Sequence, residues 1–385
     1  MSRHFVLAAG GTGGHMVPAA ALATELVRRG HRVALVSDQR GVRFPGLFAD
    51  GPGGVQTHVL PAGRLAGGPL GWAKAGREML RGRAMARELY RTFKPSAVIG
   101  FGGYPAFPAL LAAFAEGVPT AVHEQNAVLG RVNRLVAAKV DAIATSYAKT
   151  ERLKPKHGDK ARLVGNPVRD AVLTLRSRPY PLLEEEGIFR VLVTGGSQGA
   201  SILSQVVPDG LSMLPVNFRR RLQVTHQARI EDIDAVRAKY AEHEIPAELA
   251  TYLPDMPEQL AWAHLVIARA GASTIAELTA AGRPAILVPL PGATDDHQTA
   301  NAREITAAGG ARTVAQADFT AKELAKQMQK LGLDPAALEN AAGRARACGR
   351  PDATRDLADL VESLGAPRSA LPVGVAKPMK KAAYA

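Results

Sequence analysis

The sequence predicts an α/β protein in two halves, each a parallel sheet with helices on both faces. Three observations carry this prediction. The chain has 385 residues, more than one compact domain holds and about right for two. Two segments share one design: a short apolar strand runs into a glycine cluster and then a helix. The clusters, Gly10-Gly11-Thr12-Gly13-Gly14-His15 and Gly195-Gly196-Ser197-Gln198-Gly199-Ala200, start 185 residues apart, so each half opens with the same unit. Short continuous apolar runs alternate with segments of helical length, as they do where parallel strands are buried on both faces.

In the first half, residues 5–8 make the first strand, and an Ala-rich helix follows the glycines to about Arg29. Further strands are expected at 33–37, 97–100, 120–123 and 142–145. The twenty uncharged residues 96–115 match a bilayer span in length. Gly100, Gly102, Gly103, Pro105 and Pro108 interrupt them, so they read as a strand, a tight loop and a short helix. The apolar start at 5–9 is too short for the core of a signal peptide. A boundary falls at Gly165-Asn166-Pro167-Val168-Arg169, where Pro167 stops a helix. The stretch to about Gly187, with Pro179 and Pro181, reads as a linker or sheet edge. The second half brings strands at 191–194, 222–225, 265–268 and 284–288. Pro351 to Thr354 start a helix whose Leu357, Leu360, Val361 and Leu364 form an apolar stripe. The expected division is 1–165, 166–350, a C-terminal helix at 351–365 returning to the first half, and a basic flexible tail at 366–385.

Hydrophobic residues are 46% and charged residues 22% of the chain, which excludes a disordered or fibrous protein. The single cysteine, Cys348, excludes a disulfide framework and suits a reducing compartment. Lys and Arg number 48 against 35 Asp and Glu, leaving +13. Such an excess points to an anionic partner: nucleic acid, an anionic membrane surface or phosphorylated substrates. Aromatics at 5% weigh against a base-stacking nucleic-acid binder. Most of the excess has an address. Arg64, Lys74, Arg77, Arg81, Arg83, Arg87, Arg91 and Lys94 against Glu78 and Glu88 give +6 within 31 residues, and the 20-residue tail from Ala366 adds +4. In the first of these windows Trp72, Met79, Ala86, Tyr90 and Phe93 recur at helical spacing. They are either a core-facing stripe under a solvated basic face, or part of a surface that docks on anionic lipid with residues 65–72 at the interface. The ten histidines form no H-x-x-x-H or Cys/His cluster; Asp295-Asp296 could mimic a metal-binding acidic pair, but no essential metal or other cofactor is expected.

Both glycine clusters are candidate phosphate sites for a mechanical reason. Without a Cβ the loop backbone approaches an anion closely. The first N–H groups of the following helix have no partner of their own, and the helix dipole adds partial positive charge there. Neither cluster continues into Gly-Lys-Ser/Thr, and the first carries Met16 where G-x-G-x-x-G needs its last glycine. His15 ends the first cluster on the first helical turn. It is either a structural histidine bonded to backbone or a general base kept neutral by the nearby helix N-terminus.

Together with Phe101-Gly102-Gly103-Tyr104, His123-Glu124-Gln125-Asn126, Gly165-Asn166-Pro167-Val168-Arg169, Ala270-Gly271-Ala272-Ser273-Thr274-Ile275-Ala276-Glu277 and Asp295-Asp296-His297-Gln298, the two clusters make an ordered set that resembles the MurG family. The resemblance covers about residues 3–365. It implies the GT-B architecture, two Rossmann-like domains with parallel sheets facing across a cleft. It implies inverting transfer of GlcNAc from UDP-GlcNAc to the C4 hydroxyl of MurNAc in lipid I (undecaprenyl-diphospho-MurNAc-pentapeptide), giving lipid II for peptidoglycan. The first domain is then the acceptor and membrane side, and the second holds the donor. The implied place is the cytoplasmic face of the inner membrane, peripherally bound through the basic region that ends at Lys94.

The resemblance also implies roles. Ser197, with the backbone of Gln198 and Gly199, holds the diphosphate and stabilises departing UDP. Glu277 takes the ribose hydroxyls, and Ala272, Ser273, Thr274, Ile275 and Ala276 line the nucleotide. Leu253 reads the uracil edge through its backbone, although Pro254 departs from the family pattern. Gln298 contacts the GlcNAc hydroxyls, and His297 stands where the family has another glutamine. Thr12, Gly13 and Gly14 close over the donor sugar, and Asn126 contacts sugar or acceptor. Arg169 contacts the donor or forms an interdomain salt bridge. Gly102 and Gly103 turn around the acceptor diphosphate. His15 is the favoured base and Glu124 its rival. A UDP-GlcNAc 2-epimerase on the same fold would use the same nucleotide site without needing a membrane face. An NAD-dependent dehydrogenase would need the glycine pattern that the first loop lacks, though Asp38 sits at a passable distance. A basic nucleic-acid-binding protein would need a recognition motif that the sequence does not supply.

Overall fold

The computed structural model describes residues 2–41, 54–61, 63, 68–184, 186–196, 199–332 and 334–366. The first half contains β1 (His4–Ala9), α1 (Gly13–Arg28), β2 (Arg32–Ser37), β3 (Gln56–Val59), α2 (Gly68–Phe93), β4 (Ala97–Gly102), α3 (Ala106–Ala115), β5 (Thr120–Glu124), α4 (Arg131–Val136), β6 (Ala142–Thr145) and β7 (Ala161–Leu163). The second contains α5 (Asp170–Leu173), β8 (Phe189–Thr194), α6 (Ser201–Ser212), α7 (Val216–Arg219), β9 (Leu222–Gln227), α8 (Ile233–Glu242), β10 (Ala247–Ala250), α9 (Met256–Trp262), β11 (Leu265–Ala268), α10 (Ala272–Ala281), β12 (Ala285–Leu287), α11 (His297–Ala307), β13 (Ala311–Thr313), α12 (Ala321–Gly332) and α13 (Pro335–Cys348). A last helix, α14 (Ala353–Leu364), follows.

Each half is one parallel sheet. The seven-stranded sheet runs β3-β2-β1-β4-β5-β6-β7 and the six-stranded sheet β10-β9-β8-β11-β12-β13. In both, the order reverses beside the first strand of the half, between β1 and β4 and between β8 and β11. The glycine clusters leave the sheets there, which is where open α/β sheets take their ligands. The uncharged run at 96–115 is β4, a turn and α3. No helix among the described residues is long and apolar enough to cross a membrane.

Strand side chains alternate between two faces, so each sheet has two cores. Phe5 and Leu7 pack with Leu22, Leu26, Leu357 and Val361 from α1 and α14. Val6 and Ala8 pack with Ala86, Tyr90 and Leu110 from α2 and α3. Thus α14 lies on the first sheet after following the second in sequence. Two salt bridges and a hydrogen bond hold it there: Arg29 reaches Asp359 at 2.5 Å and Glu362 at 2.8 Å, and His31 Nε2 donates to Glu362 at 2.6 Å.

Four strands, β3, β7, β10 and β13, have no counterpart in the apolar pattern. They sit at the sheet edges, and their residues are mostly exposed or half-buried. An edge strand needs no continuous apolar run. The stretch expected as a linker after Arg169 begins instead with α5 and a further helical turn at Thr174–Ser177. The stripe on α2 divides. Ala86, Tyr90 and Phe93 are buried, whereas Trp72 is 61% exposed and does not reach the core. Of the basic window, Arg64 and residues 65–67 lie outside the described residues, as do residues 367–385 of the tail.

Candidate active site

A cleft of about 1600 Å³ separates the carboxyl ends of the two sheets. The first half contributes the loops after β1, β4 and β5; the second contributes the loops after β8 and β9 and the start of α10. Thr12, Gly13, Gly14, His15, Gly102, Gly103, Glu124 and Asn126 all line the first wall.

His15 is oriented by its own loop. Its Nδ1 lies 2.9 Å from the Gly10 carbonyl. A carbonyl only accepts, so Nδ1 carries the proton and the neutral ring keeps the lone pair on Nε2. Burial, countered in part by the Gly10 bond, holds the His15 pKa below its ordinary value. Gly102 and Gly103 make this possible. Both have left-handed φ, 95° and 79°, and a Cβ on Gly103 would stand 2.6 Å from the Gly10 oxygen, one on Gly102 3.0 Å from His15 Nε2. The second loop therefore packs directly against the carbonyl and the imidazole that the first loop presents.

Glu124, the rival base, is buried and fully engaged. Its Oε1 accepts from the Asn126 amide N–H at 3.1 Å and Asn126 Nδ2 at 3.2 Å; its Oε2 accepts from Gly130 N–H at 2.7 Å and Asn133 Nδ2 at 2.8 Å. Four donors around one carboxylate fix the 125–130 loop, and with both oxygens already engaged Glu124 acts as a clamp on that loop. His123 is also structural: its Nε2 donates to the Gly165 carbonyl, Nδ1 accepts from Gln125, and burial lowers its pKa to about 4.

On the second wall, Gly195, Gly196 and Gly199 bend the loop before α6. A Cβ on Gly195 would overlap the Gly199 backbone at 2.3 Å, and Gly196 and Gly199 have φ of 75° and 66°. Gln227 Nε2 donates to the Gly196 carbonyl and its Oε1 accepts from Thr194 Oγ1, bracing the loop from behind. Gly199 lines the cleft; Ser197 and Gln198 lie outside the described residues. Ala272, Ser273, Thr274 and Glu277 line it from the first turns of α10, and Leu253 faces it from the loop after β10. Ile275 and Ala276, expected among the nucleotide contacts, do not line this cleft: Ile275 is buried in the sheet core and Ala276 packs against it. The helical turn of 100° per residue carries these two away from the face that presents Ser273, Thr274 and Glu277.

Arg169 pairs with Glu277 inside the second half, through Nε at 3.1 Å and a terminal nitrogen at 2.7 Å, both ending on Oε1. The interdomain bridge weighed for Arg169 is not the pair it makes here. Burial pushes the Glu277 carboxyl up while the Arg169 guanidinium draws it down. Gln298 Oε1 accepts from the Ala270 and Leu290 amides at 3.2 and 2.9 Å, which turns its NH₂ group to other partners. His297 lines the cleft with Nδ1 bonded to the Thr294 carbonyl. Asp295 is drawn to the opposite half, where Arg134 and Arg152 meet it at 2.8 and 3.0 Å. Among the described residues, no three His, Cys, Asp or Glu side chains gather as a metal site.

The sequence reading missed Arg229 and Arg269, which line the cleft directly after β9 and β11. Their place at the carboxyl ends of strands was the available signal.

Two family models match this chain: the glycosyltransferase family 28 N-terminal domain over residues 5–145 and the glycosyltransferase family 28 C-terminal domain over residues 190–359. The chain belongs to glycosyltransferase family 28, in its MurG branch. A relative from Novosphingobium aromaticivorans, named UDP-N-acetylglucosamine--N-acetylmuramyl-(pentapeptide) pyrophosphoryl-undecaprenol N-acetylglucosamine transferase, is 64% identical over 95% of this chain and 93% of its own length. A protein of the same name from Zymomonas mobilis is 62% identical over 94% of this chain and 93% of its own length. The crystal structure of Acinetobacter baumannii MurG superposes with a TM-score of 0.73 at 28% identity, covering 94% of this chain and 99% of that one. Two parallel sheets facing across one cleft are the family's GT-B architecture.

Proposed function

We infer that this protein is an inverting, UDP-GlcNAc-dependent glycosyltransferase of peptidoglycan synthesis. It moves GlcNAc from UDP-GlcNAc to the C4 hydroxyl of MurNAc in lipid I and yields lipid II. One observation carries the chemistry: His15, its Nδ1 bonded to a carbonyl and its Nε2 left to accept a proton, lines one wall of a single cleft whose other wall carries the first turns of α6 and α10. His15 Nε2 takes the proton of the acceptor hydroxyl as its oxygen attacks the anomeric carbon. The bond from that carbon to the UDP oxygen breaks, and its electron pair leaves on the diphosphate. One displacement inverts the anomeric centre. The leaving charge meets the N-terminal ends of α6 and α10 and their helix dipoles.

In this reading residues 1–165 receive the acceptor and 166–350 hold the donor. Glu277 offers the ribose its Oε2, since both Arg169 bonds end on Oε1, and Gln298 offers its NH₂ to the sugar hydroxyls. The acceptor is lipid-linked, so the first half meets the cytoplasmic face of the inner membrane. The surface of α2 supports this. Leu70, Trp72 and Leu80 stand out at 88%, 61% and 68% exposure, among exposed Lys74, Arg77 and Arg81. Met79 of α2 and exposed Leu135 of α4 border the mouth of the cleft. Apolar side chains among cations suit an anionic lipid surface better than nucleic acid.

Labelled UDP-GlcNAc supplied with a lipid I analogue tests the function. A lipid-linked disaccharide with inverted linkage is expected. Folded protein that makes none, or that only epimerises the nucleotide sugar, overturns it.

A further inference from the structure

Asn301, on α11, has no accessible surface and touches both halves. Its Oδ1 accepts from the Ala127 amide at 2.7 Å. Its Nδ2 donates to Asn126 Oδ1 at 3.1 Å and to the Ala270 carbonyl at 3.2 Å. Asn126 is itself held on Glu124, and the Ala270 amide is held on Gln298. An unbroken chain of hydrogen bonds therefore runs Glu124–Asn126–Asn301–Ala270–Gln298, from the loop behind the acceptor wall to the loop that opens α10.

We propose that Asn301 is a positioning residue that couples the two halves, setting Asn126 in register with the donor loop when the cleft is docked. The proposal rests on the transferase reading given above. Among the described residues, ion pairs also bridge the halves: Arg134 and Arg152 with Asp295, and Glu151 with Arg303. Those side chains are long and partly exposed, so they attract without fixing register. A buried amide differs. It uses two donors and an acceptor toward three partners, and a shift of either half leaves polar groups unpaired away from water. Aspartate has the same shape but would turn an oxygen toward the Asn126 and Ala270 oxygens, keeping only the Ala127 bond.

The test compares wild type, Asn301→Ala, Asn301→Asp, Asn126→Ala and the double variant Asn126→Ala/Asn301→Ala. Initial rates are measured with UDP-GlcNAc and a lipid I analogue, and UDP affinity by calorimetry. Coupling between sites typically spans about 5- to 150-fold, and kcat is expected to fall by about that factor in both Asn301 variants. UDP is held by the second half alone, so its Kd stays within about threefold. The double variant falls no more than about threefold below the weaker single, because both changes cut one chain of bonds. Three results overturn the proposal: an Asn301→Asp kcat near wild type, UDP affinity lost in step with kcat, or losses that multiply. If Asn301→Ala does not fold, the isosteric Asn301→Asp carries the decision. Wild-type protein that transfers no sugar overturns the transferase reading and this coupling with it; wild-type transfer with unaffected Asn301 variants overturns the coupling alone.

Discussion

Replacing His15 with Gln tests the base directly. Glutamine keeps a donor for the Gly10 carbonyl, which lies 2.9 Å from Nδ1, but takes up no proton near neutral pH. General-base assistance is worth about 10²–10⁴-fold, or roughly 3–5 kcal/mol of barrier, so kcat should fall by that factor. In the proposed reading UDP binds the opposite wall, so its calorimetric Kd should stay within about twofold. The pH profile gives a second reading. Burial, opposed by the Gly10 bond, places the His15 pKa below 6.5. The neutral form is the base, so wild-type kcat stays level through neutral pH and falls as pH drops through that lowered value. The same shift acts on stability. The unfolded chain binds this proton more readily, so the contribution of His15 is present above pH 6.5 and is lost below it. The variant should lack the acidic limb of kcat. A variant within threefold of wild type, or one retaining the limb at the same pH, refutes the assignment.

Three further outcomes follow from the geometry. Glu124→Gln puts an NH₂ among four donors and should cost about 1–3 kcal/mol in chemical denaturation, while the acidic limb of the pH profile keeps its position. Gly103→Ala forces φ near 79° on a Cβ that meets the Gly10 oxygen at 2.6 Å; beyond the ~1–2 kcal/mol left-handed cost, it should lower kcat by displacing the carbonyl that orients His15. Arg29→Ala releases α14 from Asp359 and Glu362 and should cost about 1–3 kcal/mol. At Glu362, burial works upward but His31 and Arg29 outweigh it, so its pKa is lowered; wild-type stability from this latch is full above the carboxylate range and drains as pH falls through it, whereas the variant should show a flatter decline.

Central strands were legible because burial writes itself as uninterrupted apolar residues: 142–145 and 265–268 are strands to the residue. Edge strands carry little of that signal, since Thr57 and Glu248 meet solvent and need no apolar character. The glycine loops were legible for a similar reason, because Gly103 and Gly199 satisfy a positive φ that other residues resist. Partnerships were not. Nothing local in the sequence tells that Asp295 will face Arg134 and Arg152, or that Arg169 will find Glu277 108 residues away. Glu124 illustrates the limit. A carboxylate after a strand reads equally as base or clamp until its four donors are counted.

The connection between the halves explains why one buried amide has leverage over the whole cleft. The chain crosses twice. Val164 packs in the first core and Val168 in the second; later, Ala345 lies in the second core and Leu357 in the first. The crossings touch, since a Cβ on Gly165, at φ 94°, would stand 2.8 Å from Arg350 Cβ. Two adjacent covalent links leave rotation about their common line as the easy motion between halves. Asn301 shares a small rear cavity of about 40 Å³ with Asn166 and Arg350, so it sits close to that line. A rotation that lengthens its bonds by about 1 Å breaks them, and the same rotation moves groups farther from the line by more. His15 on one side and Gly195, Gly196 and Gly199 on the other stand on opposite walls of the larger cleft, where a misplacement of about 1 Å costs roughly 10²-fold in rate. A short bond near the pivot therefore regulates the long distance that the chemistry depends on.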